Sequence, residues 1–104
     1  SPAPEERADN IPAEREEAVA FWYSSKGKNQ LNRIIASLHS RGIYECWIRK
    51  DGICNFRSDR GYRRAGIFHD YPGTSAAMIA KLLRNEGLNA VDQGKYLYIA
   101  WAEE

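Results

Sequence analysis

The spacing of apolar residues changes along the chain between a helical period and an alternating one, and each change marks an element. Ala18, Phe21, Trp22 and Ser25 recur at intervals of three and four, which predicts a first helix beginning near Pro12. Proline suits a first turn, where its missing N–H has no intrahelical partner to lose. Glu14, Glu16 and Glu17 follow where the positive end of a helix favours carboxylates. Ser24-Ser25-Lys26-Gly27 reads as a stop, and Asn29 as the N-cap of a second helix. Leu31, Ile34, Ile35 and Leu38 give that helix its core stripe. Gly42 is placed to close it as a left-handed C′ residue, with Ile43 making the hydrophobic contact beyond.

From Ile43 to Arg57 the pattern alternates, interrupted by Lys50-Asp51-Gly52. Two hairpin registers compete. A two-residue Asp-Gly loop pairs Lys50 with Ile53, whereas a three-residue loop with left-handed Gly52 pairs Arg49 with Ile53. The second sorts the side chains better. Tyr44, Cys46, Ile48, Cys54 and Phe56 then share one face, and Trp47, Arg49, Ile53, Asn55 and Arg57 the other. Because a half-buried ribbon takes its register from burial, this is the predicted one. It leaves Cys46 and Cys54 diagonal across the strands, poorly placed for a disulfide and better read as two buried thiols.

Ser58–Gly61 is a polar turn and Tyr62–Phe68 a candidate third strand. Tyr71-Pro72-Gly73 predicts another turn, after which Thr74 or Ser75 caps a third helix with Ala76, Ile79, Leu82 and Leu83 on its buried face. Gly87-Leu88 stops that helix. A second hairpin, Leu88–Trp101, turns at Gln93-Gly94, so that Leu88, Ala90, Leu97, Ile99 and Trp101 face the core while Val91, Tyr96 and Tyr98 point away. Leu38-x-x-x-Gly42-Ile43 and Leu83-x-x-x-Gly87-Leu88 both precede a hairpin, a weak internal repeat. The simplest architecture is α+β: an antiparallel sheet with helices packed on one face, in the order α-α-β-β-(β)-α-β-β. Residues 1–10, with two prolines and no apolar period, read as a disordered lead, leaving 11–104 as a single domain.

The 104-residue length and 12% aromatic content fit one globular core and exclude collagen-like, coiled-coil and wholly disordered chains. No apolar run reaches the ~20 residues of a membrane helix, and no basic stretch leads into an apolar one as a secretory signal requires. With only two cysteines, a soluble protein of the reducing cytoplasm is expected. Net charge is +1, but its layout is uneven. Residues 20–64 hold ten Lys and Arg against three acids, flanked by acidic ends. Such a block suits a polyanion or an acidic protein surface.

Catalytic motifs are absent. His39 and His69 are the only histidines, a minimal acid–base pair for a small ribonuclease at most. Neither C-x-x-C nor H-x-x-x-H occurs, so no zinc set is expected. Ser25-Lys26-Gly27-Lys28 lacks the leading glycine of a phosphate loop and the hydroxyl residue after its lysine, and no cofactor is implied. The order helix, three strands, helix across 29–86 resembles that of double-stranded-RNA-binding domains and of small toxins of the HicA type. The likeness is one of element order. Ser75-Ala76-Ala77 stands where such binding domains begin a helix with lysines, and no functional residue is carried over.

What remains is an open sheet face. It presents Trp47, Tyr96 and Tyr98 among Arg49, Asn55 and Arg57, next to a loop carrying Arg60, Arg63 and Arg64 around Tyr62. Aromatic faces stack on bases and guanidinium forks hold phosphates, so the expected function is non-catalytic binding of nucleic acid, DNA or RNA. Thr74-Ser75, at a helix N-terminus, is a second candidate phosphate site. The alternative is a protein-interaction module, an inhibitor, regulator or homodimer that buries the same surface.

Overall fold

Neither an amphipathic helix nor an alternating ribbon can bury its apolar side alone, and the chain meets both needs with two layers. The computed structural model describes residues 13–102. The lead expected at residues 1–10 lies outside them. Helix α1 (Ala13–Trp22) runs through a π-helical turn (Tyr23–Gly27) into α2 (Lys28–Ser40). Strands β1 (Glu45–Arg49), β2 (Ile53–Ser58) and β3 (Gly61–Ile67) follow. A 3-10 turn (Gly73–Ser75) leads into α3 (Ala76–Asn85), and β4 (Asn89–Asp92) and β5 (Tyr96–Ala100) complete the sheet. The strands form one antiparallel sheet in the order β3-β2-β1-β5-β4, with the helices packed on one face. This is the predicted α+β architecture and element order. No helix among the described residues is long and apolar enough to cross a membrane.

The junction between the first two helices differs in detail from the sequence reading. Ser24–Gly27 does not break the helical path, and Gly27 keeps helical dihedrals, φ −62° and ψ −42°. Asn29 therefore lies inside α2 rather than capping it. The buried residues Val19, Tyr23, Gly27 and Leu31 are spaced by four throughout. In a plain α-helix each such interval rotates the stripe by about 40°, which would carry one end off the core. A π turn is wider and takes up that drift. The Ser24 and Ser25 hydroxyls donate back to the Phe21 carbonyl at 3.2 and 2.6 Å. Burial consequently falls on Val19, Trp22 and Tyr23, while Ala18, Phe21 and Ser25, expected to face the core, are exposed.

Trp22 fills the space this turn creates. Its indole N–H donates to the His69 carbonyl at 2.8 Å, and its ring meets the Tyr71 ring edge-on at 5.6 Å. The β3–α3 loop is thereby tied to the helices. Asp70 in that loop has φ +58°, a left-handed conformation that Asp tolerates better than most residues, and its carboxylate pairs with Lys26.

Both glycine stops form as predicted. Gly42 N–H donates to His39 O at 3.0 Å and Ile43 N–H to Leu38 O at 2.9 Å, the paired bonds of a Schellman motif. Gly87 and Leu88 repeat them on Arg84 and Leu83 at 3.0 and 3.1 Å. Each stop leads into an antiparallel hairpin, as the repeat predicts, and the internal likeness ends there. Glu45 faces away from the core, whereas Ala90, its counterpart 45 positions on, faces into it.

The β1–β2 hairpin adopts the predicted register, with Trp47 opposite Asn55, Ile48 opposite Cys54 and Gly52 at φ +95°. Cys46 and Cys54 are fully buried free thiols. Contact with the Cys54 thiol, together with burial, pushes the Cys46 thiol well above its ordinary pKa. In the β4–β5 hairpin the loop is Gly94-Lys95 rather than Gln93-Gly94, since Gln93 N–H donates to Tyr96 O at 2.8 Å and Asp92 pairs with Leu97. Gly94, at φ +91°, takes the first loop position, where a type II′ turn requires it, and its N–H donates to Asp92 Oδ1 at 3.0 Å. A shift of two residues preserves parity, so the predicted faces hold: Ala90, Leu97 and Ile99 are buried, and Val91 and Tyr96 exposed.

Gly27 offers a test of the junction. A Cβ there would meet Trp22 Cη2 at 2.6 Å. Helix propensity alone makes Gly27→Ala stabilising by about 1 kcal/mol. Overpacking against the indole, about 1–3 kcal/mol, reverses that sign. The expected result is a lower urea midpoint at an unchanged slope; a raised midpoint would show that the indole does not rest on Gly27.

Candidate nucleic-acid interface

Alternation places every second residue of the sheet opposite the helices. On this open face β1 contributes Glu45, Trp47 and Arg49, β2 contributes Ile53, Asn55 and Arg57, and β5 contributes Tyr96 and Tyr98. On β3 the pairing shifts between Cys54, opposite Gly66, and Asn55, opposite Arg64, which makes Ala65 a bulge. Tyr62 and Arg64 on one side of it and Ile67 on the other all face outward. Arg63, opposite Phe56, turns to the helix side of the sheet instead.

The expected loop cluster of Arg60, Arg63 and Arg64 is thus divided. Only Asp59 and Arg60 form the turn; Arg63 and Arg64 lie on β3 with opposite orientations, because neighbouring strand residues must alternate. Arg63 therefore does not share the open face with the other expected site residues. Trp47, Arg49, Arg57, Arg64, Tyr96 and Tyr98 share the open face, with Arg60 at its margin.

Trp47 lies at the centre, half-buried by aromatic neighbours and not by a helix. Tyr62 meets it edge-on at 5.5 Å and Tyr98 lies tilted against it at 5.3 Å. Tyr98 is held in turn by its hydroxyl, which donates to Glu45 Oε1 at 2.7 Å. Free ring surface belongs to Tyr62 and Tyr96, at 64% and 41% exposure. The sequence pattern puts Tyr62 at the start of a candidate third strand and among the loop arginines, without assigning it to this face. The signal was present, since an Asp59-Arg60 turn sets Tyr62 opposite Arg57.

Arg49 is neutralised in part by Asp51 at 3.0 Å, whereas Arg57, Arg60 and Arg64 form no ion pair among the described residues. Beside Arg49, the tips of the two hairpins bring Lys50 and Lys95 together around Tyr96, two cations the sequence did not single out. A cleft of about 350 Å³ lies between the exposed tyrosines, lined by Trp47, Asn55, Tyr62, Gln93 and Tyr96.

The other candidates lie elsewhere. His39, in the last turn of α2, packs edge-on against Tyr44 at 5.2 Å. His69 is fastened near the opposite end of that helix, its N–H donating to Gln30 Oε1 at 3.1 Å. At 1.5 Å per residue the attachment point stands roughly 13 Å along α2 from His39, so the two rings do not share a site. Ser75, at the α3 N-cap, is buried within the helix layer, away from the open face. Comparison of the chain with protein-family models, curated proteins and solved structures finds no match.

The Glu45 hydrogen bond, with smaller effects of burial and of the Glu45 charge, raises the Tyr98 pKa, while Arg57 pulls it the other way. The phenol therefore stays protonated in the folded chain at a pH where the unfolded chain, with tyrosine near 10, releases its proton. Stability from this group is complete below about pH 10 and is lost as pH rises through the folded value. Denaturant melts from pH 8 to 11 should show Tyr98→Phe with a shallower alkaline decline than the parent. Parallel declines would mean that the hydroxyl is not engaged by Glu45.

Proposed function

We propose that this chain is a small non-catalytic domain that binds single-stranded nucleic acid on the open face of its sheet. One observation carries the reading. Exposed Tyr62 and Tyr96 flank Trp47 on a face shared with Arg57 and Arg64, neither of which pairs with a carboxylate among the described residues. A single strand exposes base faces and phosphates together, and this surface meets both. Stacking contributes about 1–3 kcal/mol per base. The arginines supply the sequence-independent attraction to the backbone. Trp47, wedged between Tyr62 and Tyr98, serves as the floor against which the exposed ends of the platform rest, and Arg49, Lys50 and Lys95 extend the cationic path beyond Tyr96.

The rival reading, a protein-interaction surface or homodimer, is favoured by the exposure of Val91 (50%) and Ile67 (39%) at the face's two margins. Salt separates the two. With Arg57, Arg60 and Arg64 on three phosphates, these residues should contribute about −2 to the slope of log affinity against log salt for a mixed single-stranded oligonucleotide. The Arg57→Ala, Arg64→Ala double variant should make the slope shallower by about 1.4 without altering the melt, since both side chains are exposed. An absence of oligonucleotide binding, combined with a salt-insensitive doubling of mass in solution, would overturn the proposal in favour of the dimer.

A further inference from the structure

The cleft on the open face has a composition that backbone binding does not require. Two carboxamides, Asn55 and Gln93, line it with Trp47, Tyr62 and Tyr96. Asn55 sits in the interior of β2, a strand paired on both sides, where asparagine is disfavoured. Its side chain makes no hydrogen bond to another described residue, nor does that of Gln93, whose backbone N–H alone is engaged by the turn. Neither amide has a structural task among the described residues, and both lie between rings suited to stacking.

We infer that this cleft is a base-recognition pocket that prefers adenine, an inference that rests on the reading of the face as a single-strand-binding surface. The volume, about 350 Å³, lies at the small end of ligand pockets and suits one nucleotide. A duplex keeps its bases stacked and cannot place one there without extruding it. A carboxamide offers a donor beside an acceptor, which complements the adenine N6–H and N7 pair. Guanine presents two acceptors on that edge and calls for arginine or lysine, and none lines the cleft. In a single strand adenine offers such a pair on both of its edges, whereas guanine, cytosine and thymine offer one only on the Watson–Crick edge, and the pyrimidines also cover less of the aromatic surface. Next to the cleft, and sharing Tyr96 with it, Lys50 and Lys95 stand with the Arg49–Asp51 pair where the phosphate of the same nucleotide or its neighbour would lie.

The test uses the full chain and fluorescently labelled eight-nucleotide strands of deoxyadenylate, deoxycytidylate, thymidylate and 7-deazadeoxyadenylate, followed by anisotropy. Deoxyadenylate should bind about tenfold tighter than either pyrimidine strand. The 7-deaza strand, which lacks only the N7 acceptor, should lose most of that advantage. Asn55→Ala should abolish the preference, bringing deoxyadenylate affinity down to that of the pyrimidine strands. Gln93→Ala, in an exposed turn, gives a second variant should Asn55→Ala fail to fold. Equal binding of all four strands with the salt slope intact would overturn the pocket and leave the proposed function standing. A preference that survives in both variants would overturn the assignment of the amides. Failure to bind any strand would overturn pocket and proposed function together.

Discussion

Only one face of the sheet carries a continuous apolar surface, and that asymmetry governs the rest of the molecule. Cys46, Ile48, Cys54, Phe56, Ala90, Leu97 and Ile99 project to a single side and are almost wholly buried there. Both helix-bearing segments must cover that side, because removing apolar area from water is worth roughly 25 cal/mol per Å² and the opposite face has its aliphatic residues Ile53, Ile67 and Val91 scattered among polar ones. The alternate positions hold tyrosine, tryptophan, arginine and asparagine. Exposure of the proposed binding surface is thus the direct consequence of how the core is built.

The helix layer is fastened to the sheet by core packing and by a few side chains that join distant segments. Trp22 rests on Gly27 of its own helix, donates to the β3–α3 loop and packs against Phe68 and Tyr71. Phe68 N–H in turn donates to Gly52 O, at the tip of the β1–β2 hairpin, at 2.8 Å. The indole thereby links a helix, a loop and a hairpin turn that are distant along the chain. Tyr23 adds a second link by donating to Glu86, which Lys28 also approaches at 3.2 Å.

These contacts also decide what becomes of the central basic block. Lys26 and Lys28 are engaged by Asp70 and Glu86 on the helix side, and Arg41 lies over the Phe56 ring at 4.8 Å. Arg49 shares its charge with Asp51. Among the described residues of this block, the arginines left without such partners are Arg33 on α2 and Arg57, Arg60, Arg63 and Arg64 on and around β2 and β3, where the exposed Tyr62 also lies. A charge count along the chain overstates the usable patch, because it cannot distinguish a cation that joins two elements from one that faces solvent.

Much of the fold was legible because local rules sufficed. The alternation of Tyr44–Phe56 and the left-handed Gly52 set a register, and with it the faces of Trp47, Arg49, Asn55 and Arg57. Gly42 and Gly87 set two helix ends. The β4–β5 loop was misplaced without harm, since a two-residue slip keeps every side chain on its face. Where the reading failed, non-local packing prevailed. The π turn exists because Trp22, Tyr23 and Leu31 must reach one core, a demand that the apparent stop at Ser24–Gly27 conceals. The Ala65 bulge decides which β3 side chains share a face with which β2 partners, and no alternation within β3 alone announces it. Local periodicity determined which residues form each element and which side they show; only the tertiary structure chose which arginines pair, which aromatic rings meet, and that two hairpins close a cleft around Trp47. Those outcomes depend on contacts between segments whose distance apart in sequence leaves no periodic trace.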